Sequence, residues 1–471
     1  MLFNSFGFFL FFPIVAIVAY VTGRRIIVRN ICLLVASYYF YMNIKPVYAL
    51  LLLAVTLLTY FCAVLLENRP RNRQKKIVLL LCIVLVFSSL FVFKYYNFVN
   101  ETILSVLILL GIRWEVPNLT LLLPIGISFF TFQAAGYVID VYRGTIKAEK
   151  NIIDYFLFVS FFPVILSGPI QRSRHLLPQI KEKHPLVYEN VISGLKLMLW
   201  GYFMKLCVAD RLGTYVDSIY NNMFQHNGTS FVIASLFYTI QIYADFAGYS
   251  YTAIGCAKVI GFSLPENFHR PYFSASIKEF WKRWHIALSS WFMEYLYFPL
   301  GGSRVKFLRY LLNLMIVFLV SGLWHGAAWT FVVWGGLHGL FQIIEAIIRK
   351  RRGISKRKSG FLYLLRIMCV FLLVNFAWIF FRLPTISDSI YIIKSIFTNL
   401  DMPYLAPMPM AFGLLSFLIL LVKDTIDEYY PKCKLLNSDN IFISIPTSIL
   451  LTEYVLLFGV LDNNQFIYFQ F

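Results

Sequence analysis

The sequence predicts an all-α membrane protein that crosses the bilayer about 12 times, with two further segments that enter and leave it on one side. The first observation is composition, since 59% of the 471 residues are hydrophobic and 14% are charged. The mean hydropathy is accordingly +0.70. The second is that the apolar residues gather in repeated runs close to the ~20 residues that span a bilayer as a helix. Together they exclude an ordinary soluble protein.

Each apolar run predicts one helix. The runs lie near 6–22, 26–42, 47–66, 77–96, 119–142, 191–208, 230–262, 307–324, 327–348, 361–382, 409–423 and 441–460. Two more stretches, 151–170 and 271–300, contain prolines, and the second is too polar to span, so we expect re-entrant or interfacial helices there. The pattern divides the chain into a main membrane domain, 1–440, and a C-terminal span with an aromatic tail, 441–471.

Positive charge lies in short loops beside these runs. The chain has 42 basic and 23 acidic residues. One basic group comprises Arg24, Arg25 and Arg29, and the other two are the stretches 69–76 and 349–358. This is the positive-inside pattern of membrane proteins, and it argues against nucleic-acid binding. With these loops in the cytoplasm and an even number of crossings, we predict that both termini lie outside.

One histidine lies in the aromatic stretch FWKRWHIALSSWFMEYLY, which begins at Phe280. Helical spacing predicts a continuous helix ending at Pro299, with His285, Trp281 and Trp284 on one aromatic stripe. An interfacial belt of tryptophan and histidine is the structural alternative for this stripe.

His325 lies at the junction of two apolar runs, in GLWHGAAWTFVVWGGLHG. A break there would place it on non-helical backbone, which the membrane tolerates only against protein or a polar cavity. An ionisable group at that depth is by default a functional candidate, and a neutral ring bonded to a carbonyl is the alternative. We interpret His338 as structural. The seven cysteines show no C-x-x-C spacing and no HExxH pattern occurs, so we expect no metal site.

Six short motifs follow one another along the chain. They are SGPIQR from Ser167, DFAGYS from Asp245, PENFHRPY from Pro265, FWKRWHIALSSW from Phe280, YFPLGGSR from Tyr297 and GLWHGAAWTFVVWGGLHG from Gly322. Their order resembles that of the membrane-bound O-acyltransferases. The chain resembles the bacterial branch that includes the alginate O-acetyltransferase membrane subunit and, more distantly, the D-alanyl transfer protein of teichoic-acid modification. It departs from the family pattern at Ala247, Tyr251, His269, Met293 and Glu294.

The resemblance implies a ring of helices around a central funnel in a bacterial plasma membrane, and O-acylation of a cell-surface or secreted polysaccharide. The family's catalytic histidine falls on His325 and its second histidine on His285. An imidazole suits this chemistry, because acyl transfer to a hydroxyl needs a base for a weakly acidic O–H group. The candidate donors to the oxyanion are Trp281, Trp284, Trp324 and His285.

The acyl donor implied by the resemblance is a cytoplasmic thioester, either acetyl-CoA or an acyl carrier protein. The candidate residues at the funnel are Trp281, Trp284, Trp324, Lys282, Arg283 and Asp245, and charge alone adds Arg270 and Lys278. Basic side chains near a membrane also bind anionic lipid, which leaves that alternative open for them.

The final residues, DNNQFIYFQF, are unusually aromatic. An interfacial anchor is one interpretation. The tail also resembles the C-terminal aromatic motif of the small partner in the D-alanylation system. It therefore suggests that Tyr468, whose phenolate is a good leaving group from an ester, carries the acyl group to a hydrolase-like extracytoplasmic transferase. In this hypothesis the Phe471 carboxylate helps that partner to recognise the tail.

Two other functions remain open from the sequence. A transporter or flippase for a lipid-linked sugar would use the histidines as a proton relay. Such proteins usually show internal repeats and paired intramembrane charges, whereas here Asp140 and Asp245 are the main buried acidic candidates and no repeat is evident. A scaffold for a polysaccharide export complex would tolerate replacement of His325.

Overall fold

A computed structural model describes residues 1–67, 73–112, 116–352, 360–433, 436, 438 and 440–460. Within these ranges the chain is built from α-helices, which confirms the predicted fold class. The helices fall into two compact units.

The first unit comprises Met1–Val191 and Cys256–Leu264. A π-helical turn, Phe91–Tyr95, joins two of its helices. Its helices are α1 (Phe6–Val21), α2 (Ile26–Met42), α3 (Tyr48–Glu67), α4 (Arg73–Leu90), α5 (Tyr96–Leu109), α6 (Ile127–Arg143), α7 (Ile152–Ser160), α8 (Phe162–Ile165) and α9 (Ser173–Lys181).

The second unit comprises Ile192–Gly255 and the described residues from Pro265 onward. The residue ranges of two helices are divided between the units, α10 (Tyr188–Tyr202) and α12 (Gly228–Val259). The others are α11 (Asp210–Tyr220), α13 (Ile277–Arg283), α14 (Ile286–Phe292), α15 (Phe307–His325), α16 (Trp329–Arg352), α17 (Phe361–Arg382), α18 (Ile386–Thr398), α19 (Pro407–Tyr429) and α20 (Ile441–Phe458). A π-helical stretch, Phe203–Ala209, joins α10 to α11, and another, Met293–Tyr297, follows α14.

In the described part of the chain, nine helical segments are long and apolar enough to cross a membrane. They include the merged segments Arg73–Leu109 and Tyr188–Tyr220. The helices α1 and α2 are apolar but shorter. The run expected at 119–142 becomes helical only at Ile127, directly after Gly126, whose φ is 80°. The chain is thus a multi-pass membrane protein, and the count of 12 crossings stays a prediction.

Both segments expected to be re-entrant contain interrupted helices. The stretch 151–170 forms α7 and the short α8, with Pro163 in the first turn of α8. The stretch 271–300 forms α13, α14 and a π-helical turn. The continuous helix predicted around His285 is therefore wrong, because the chain breaks at that histidine.

Arg29 does not belong to a basic loop, contrary to the sequence prediction. It lies inside α2 with only 1% of its surface exposed. Its guanidinium donates to the backbone oxygens of Ile180, at 2.6 Å, and Glu182, at 2.7 Å. A buried cation is tolerated when its donors are satisfied in this way. The exposed Arg24 and Arg25 lie in the loop between α1 and α2.

The helices α15 and α16 are in contact through glycines. A β-carbon on Gly335 would collide with the backbone oxygen of Phe318 and lie 3.2 Å from the Cα atom of Gly322. A β-carbon on Gly322 would collide with the backbone oxygen of Phe331. The two backbones therefore approach too closely for any side chain, as is common where membrane helices pack.

We expect Gly335→Ala to destabilise the protein by about 1–3 kcal/mol, because the added methyl group forces α15 and α16 apart. Gly336→Ala is the matched control on the same helix, since its methyl group would meet only Leu319 Cδ2, at 3.7 Å. Thermal unfolding in detergent measures both. Equal unfolding temperatures for the two variants would contradict the close packing.

Candidate active site

His285 occupies a break between two short helices. The helix α13 ends at Arg283, Trp284 is extended, and His285 has left-handed backbone angles of φ 43° and ψ 55° before α14 begins. A left-handed conformation costs a residue with a β-carbon on the order of 1–3 kcal/mol, and it persists only where the surroundings hold it. Such strain often marks a functional position.

Asn267 holds the break in place. Its backbone oxygen accepts from the Ile286 N–H group at 2.9 Å, and its side-chain Oδ1 accepts from the Ala287 N–H group at 3.2 Å. The same Oδ1 lies 3.1 Å from Nδ1 of His285. Sequence reasoning missed Asn267, although it lies within the PENFHRPY motif and a buried asparagine usually serves a polar network.

His325 is the last residue of α15, and 3% of its surface is exposed. The break in the chain follows it, at Gly326, where a β-carbon would collide with the ring of Phe331. The expectation of non-helical backbone at His325 is therefore wrong, and the glycine after it allows the helix to end there. Of the two histidines, it is His285 that lies on irregular backbone.

The structure brings the two predicted histidines together. The ring centroids of His285 and His325 are 6.3 Å apart. The ring of Trp324 lies against both, at 5.8 Å from His285 and 4.9 Å from His325. We call the residues around this histidine pair the aromatic enclosure. Besides Trp324 it consists of Phe246, 4.7 Å from His285, and Trp334 and Phe381, 5.0 and 5.3 Å from His325.

His285 is fully buried. Burial lowers the pKa of His285 to about 3, since an apolar setting disfavours the charged ring. The imidazole is therefore neutral at pH 7. A neutral imidazole can accept a proton at one nitrogen and donate a hydrogen bond from the other.

The tryptophans proposed as oxyanion donors differ in their surroundings. The indole N–H group of Trp281 donates to Nδ1 of His338 at 3.2 Å, so it is already engaged away from the histidine pair. The indole N–H group of Trp284 is buried and has no acceptor among the described residues. Only Trp324 of the three has a ring against both histidines, and it is the best placed candidate.

Charge pairing distinguishes the basic candidates near His285. Glu428 of α19 accepts from Arg270 at 2.8 Å and from Arg283 at 2.9 Å, and Arg283 also binds Glu279 at 2.7 Å. These arginines hold the segment 270–283 against α19. Their charges are largely compensated, which makes them weak candidates for binding an anionic donor.

Lys278 and Lys282 have exposed side chains. Burial lowers the pKa of Lys278, and the nearby charges of Arg349 and Lys282 lower it further. A pKa depressed by neighbouring cations indicates a local positive potential. We call Lys278, Lys282 and Arg349 the basic cluster; Arg349 also pairs with Glu345.

Asp245 takes part in a buried ion-pair network. Nζ of Lys205 lies 2.7 Å from Asp245 and 2.8 Å from Asp210, and all three side chains are at most 4% exposed. Asp245 is thus bound to a lysine rather than open to a donor. Sequence reasoning missed Lys205 and Asp210, although a lysine within an apolar run is itself a signal of a functional or structural partner.

The sequence model of the membrane-bound O-acyltransferase family matches residues 146–385, a range that contains the histidine pair. The chain belongs to this family. The chain is therefore an acyltransferase that takes an acyl group from a donor.

Relatives of this O-acyltransferase include the probable alginate O-acetylase AlgI of Pseudomonas aeruginosa, 37% identical over 384 residues, or 81% of this chain and 72% of the relative. The peptidoglycan O-acetyltransferase of Helicobacter pylori is 34% identical over 392 residues, covering 77% and 72%. The teichoic acid D-alanyltransferase of Streptococcus thermophilus is 29% identical over 258 residues, covering 50% and 60%. The resemblance seen in the sequence motifs is confirmed.

Two site predictions for this O-acyltransferase have no structural counterpart here. Tyr468 and Phe471 lie outside the described residues. The last described residues of the chain are nevertheless anchored. The Val460 N–H group donates to the backbone oxygen of Leu206 at 3.1 Å, and Nε of Arg211 donates to the backbone oxygen of Phe458 at 2.8 Å.

Proposed function

We propose that this O-acyltransferase moves an acetyl group from a cytoplasmic thioester for the O-acylation of a cell-surface or secreted polysaccharide. The observation that carries the proposal is the histidine pair, in which two imidazoles share one buried aromatic enclosure. The relatives support the substrate class, since two of them are named for O-acetylation of alginate and of peptidoglycan.

His325 acts as the general base. It takes the proton of an acceptor hydroxyl as the oxygen attacks the thioester carbonyl carbon, and the carbonyl oxygen becomes an oxyanion. Trp324 is the candidate donor to that oxyanion. Collapse of the intermediate breaks the carbon–sulfur bond, and the proton on His325 passes to the departing thiolate. The products are an ester and a free thiol.

Tyr468 is the proposed first acceptor, and a hydrolase-like extracytoplasmic transferase then passes the group to the polymer. The anchoring of Val460 supports this step. Val460 binds Leu206, and the residue before Leu206, Lys205, forms an ion pair with Asp245. The residue after Asp245, Phe246, has its ring against that of His285. Eight residues, 461–468, reach about 28 Å when extended. This length and the contacts of Val460 support the proposal that the tail delivers Tyr468 to the histidine pair.

The basic cluster is the proposed binding site for phosphate groups of the donor, whether acetyl-CoA or the prosthetic group of a carrier protein. We expect the double variant Lys278→Gln/Lys282→Gln to raise the KM for acetyl-CoA by about 10-fold while kcat changes little, because each exposed ion pair contributes up to ~1 kcal/mol. The matched control is Lys45→Gln/Lys432→Gln, which removes two other exposed lysines. An unchanged KM together with a new dependence on anionic lipid would assign the cluster to lipid binding instead.

The proposed location is the bacterial plasma membrane, with the basic loops in the cytoplasm and both termini outside. Cysteines introduced at positions 355 and 463, in a chain whose exposed Cys369 and Cys433 are replaced by serine, test this orientation. Only the cysteine at 463 should react with a membrane-impermeant reagent on intact cells. Protection of position 463 would contradict the orientation.

Turnover in proteoliposomes tests the proposed function as a whole. Purified protein given acetyl-CoA labelled in the acetyl group should release free CoA and acquire label on the protein. A flippase would move a lipid-linked sugar without consuming the thioester, and a scaffold would do neither. Absence of thioester consumption in an active, folded preparation would overturn the proposal.

A further inference from the structure

The side-chain amide of Asn267 has a defined orientation. The Ala287 N–H group can only donate, so the amide atom 3.2 Å from it is the oxygen, Oδ1. The amide nitrogen, Nδ2, then donates to Oγ of Ser250 at 3.1 Å. Asn267 is 1% exposed, so both ends of its amide are used within the protein. The backbone thus fixes which way this amide faces.

This orientation determines which nitrogen of His285 carries the proton. Oδ1 of Asn267 can only accept, and Nδ1 of His285 lies 3.1 Å from it. A hydrogen bond between these atoms therefore requires the hydrogen to be on Nδ1. In a neutral imidazole the lone pair is then on Nε2.

Further contacts hold the ring of His285 and the amide of Asn267 in place. The Ile286 N–H group binds the backbone oxygen of Asn267 at 2.9 Å, and the His269 N–H group binds the backbone oxygen of Arg283 at 2.9 Å, which fixes the register of the two segments. His285 itself is held in a left-handed conformation and its ring is packed edge-on against Phe246. Several independent contacts thus maintain one geometry.

We propose that Asn267 is a positioning residue that holds His285 in the Nδ1–H tautomer, so that His285 presents a proton acceptor at Nε2. In this state the Nε2 atom cannot donate to the oxyanion, which leaves the indole N–H group of Trp324 for that role. The inference rests on the proposed function, in which the histidine pair is the site of acyl transfer. The tautomer itself is a property of the resting protein and is measured without turnover.

Nitrogen-15 NMR of the protein in lipid nanodiscs, labelled at its histidines, tests the tautomer directly. Protonated and unprotonated ring nitrogens have well-separated shifts, and the His285→Gln variant identifies the signals that belong to His285. We expect a protonated Nδ1 and an unprotonated Nε2 at pH 7. A protonated Nε2 in the wild-type protein would overturn the proposal whatever the enzyme's activity.

Two variants of Asn267 test its effect on the reaction. Asn267→Leu removes the acceptor at similar volume, and we expect His285 to lose its single tautomer and kcat to fall about 10-fold or more. Asn267→Asp keeps an oxygen toward both Nδ1 and the Ala287 N–H group, so it should retain the Nδ1–H signal and recover most of kcat. The KM for acetyl-CoA should stay near its wild-type value in both variants.

Asn313→Leu is the matched control. Asn313 is another fully buried asparagine, and its Nδ2 donates to the backbone oxygens of Leu300 and Gly302, both at 3.1 Å. This variant should show a comparable loss of thermal stability but unchanged His285 signals. If Asn267→Leu leaves the tautomer intact and lowers kcat no more than Asn313→Leu does, the role of Asn267 is structural only. If His285→Gln keeps full activity while the tautomer is as expected, the proposal that acyl transfer needs both members of the histidine pair fails instead.

Discussion

His325→Gln is expected to reduce acyl transfer by at least ~100-fold, because general-base assistance by a positioned imidazole contributes ~10²–10⁴ to the rate. Glutamine is preferred to alanine here. The ring of His325 packs between those of Trp324, Trp334 and Phe381, so truncation to alanine would also leave a cavity. Initial rates of thioester consumption in proteoliposomes measure the loss.

His338→Gln is the control for this experiment. His338 is as deeply buried as His325 and accepts a hydrogen bond from Trp281, but we interpret it as structural. The His338→Gln variant should therefore be less stable than the wild-type protein but keep most of its activity. If the His325 variant retains more than about a tenth of the wild-type rate, general-base catalysis by His325 is excluded.

Tyr468→Phe is expected to abolish acylation of the polymer in cells, because it removes the phenol oxygen that would carry the acyl group while keeping the aromatic ring. Mass spectrometry of the C-terminal peptide, from cells that lack the extracytoplasmic transferase, should show an acyl adduct on Tyr468. Phe469→Leu is the control, since it weakens an aromatic anchor and leaves the phenol in place.

The two explanations of the tail diverge in this comparison. An interfacial anchor predicts normal polymer acylation by Tyr468→Phe and some loss in Phe469→Leu. An acyl carrier predicts no polymer acylation by Tyr468→Phe and near-normal acylation by Phe469→Leu. Normal acylation by the Tyr468 variant would remove the carrier from the mechanism while leaving the histidine pair as the site of transfer.

The sequence predicts the helices well because a helix in a membrane is determined locally, by the length and apolarity of one run. The run predicted at 361–382 coincides with α17, and those near 26–42 and 307–324 agree with α2 and α15 to within a residue. Where the structure departs from the pattern, the cause is a contact made by a distant part of the chain. Arg29 is buried in α2 rather than exposed in the loop, because its guanidinium donates hydrogen bonds to the backbone carbonyl groups of Ile180 and Glu182.

The break in the helix at His285 is also caused by a contact with a distant part of the chain. Aromatic spacing around it is that of a helix, and only the hydrogen bonds to Asn267 show why the chain turns there. Sequence reasoning found both histidines through their motifs, but it expected the irregular backbone at His325. It also missed Lys205, whose pairing with Asp210 and Asp245 depends on how α10, α11 and α12 are packed.

The anchoring of α20 has a consequence for how its sequence can change. The contacts that fix its end use backbone atoms, the Phe458 oxygen and the Val460 N–H group, and so they do not depend on which side chains those positions carry. Substitutions at positions 458 and 460 therefore leave these two hydrogen bonds in place, provided that the spacing is kept. An insertion or deletion of one residue before position 460 would be far more harmful than most substitutions, because it would rotate the backbone donor away from Leu206. At the end of this helix, chain length is therefore constrained more strongly than the identity of the side chains at positions 458 and 460.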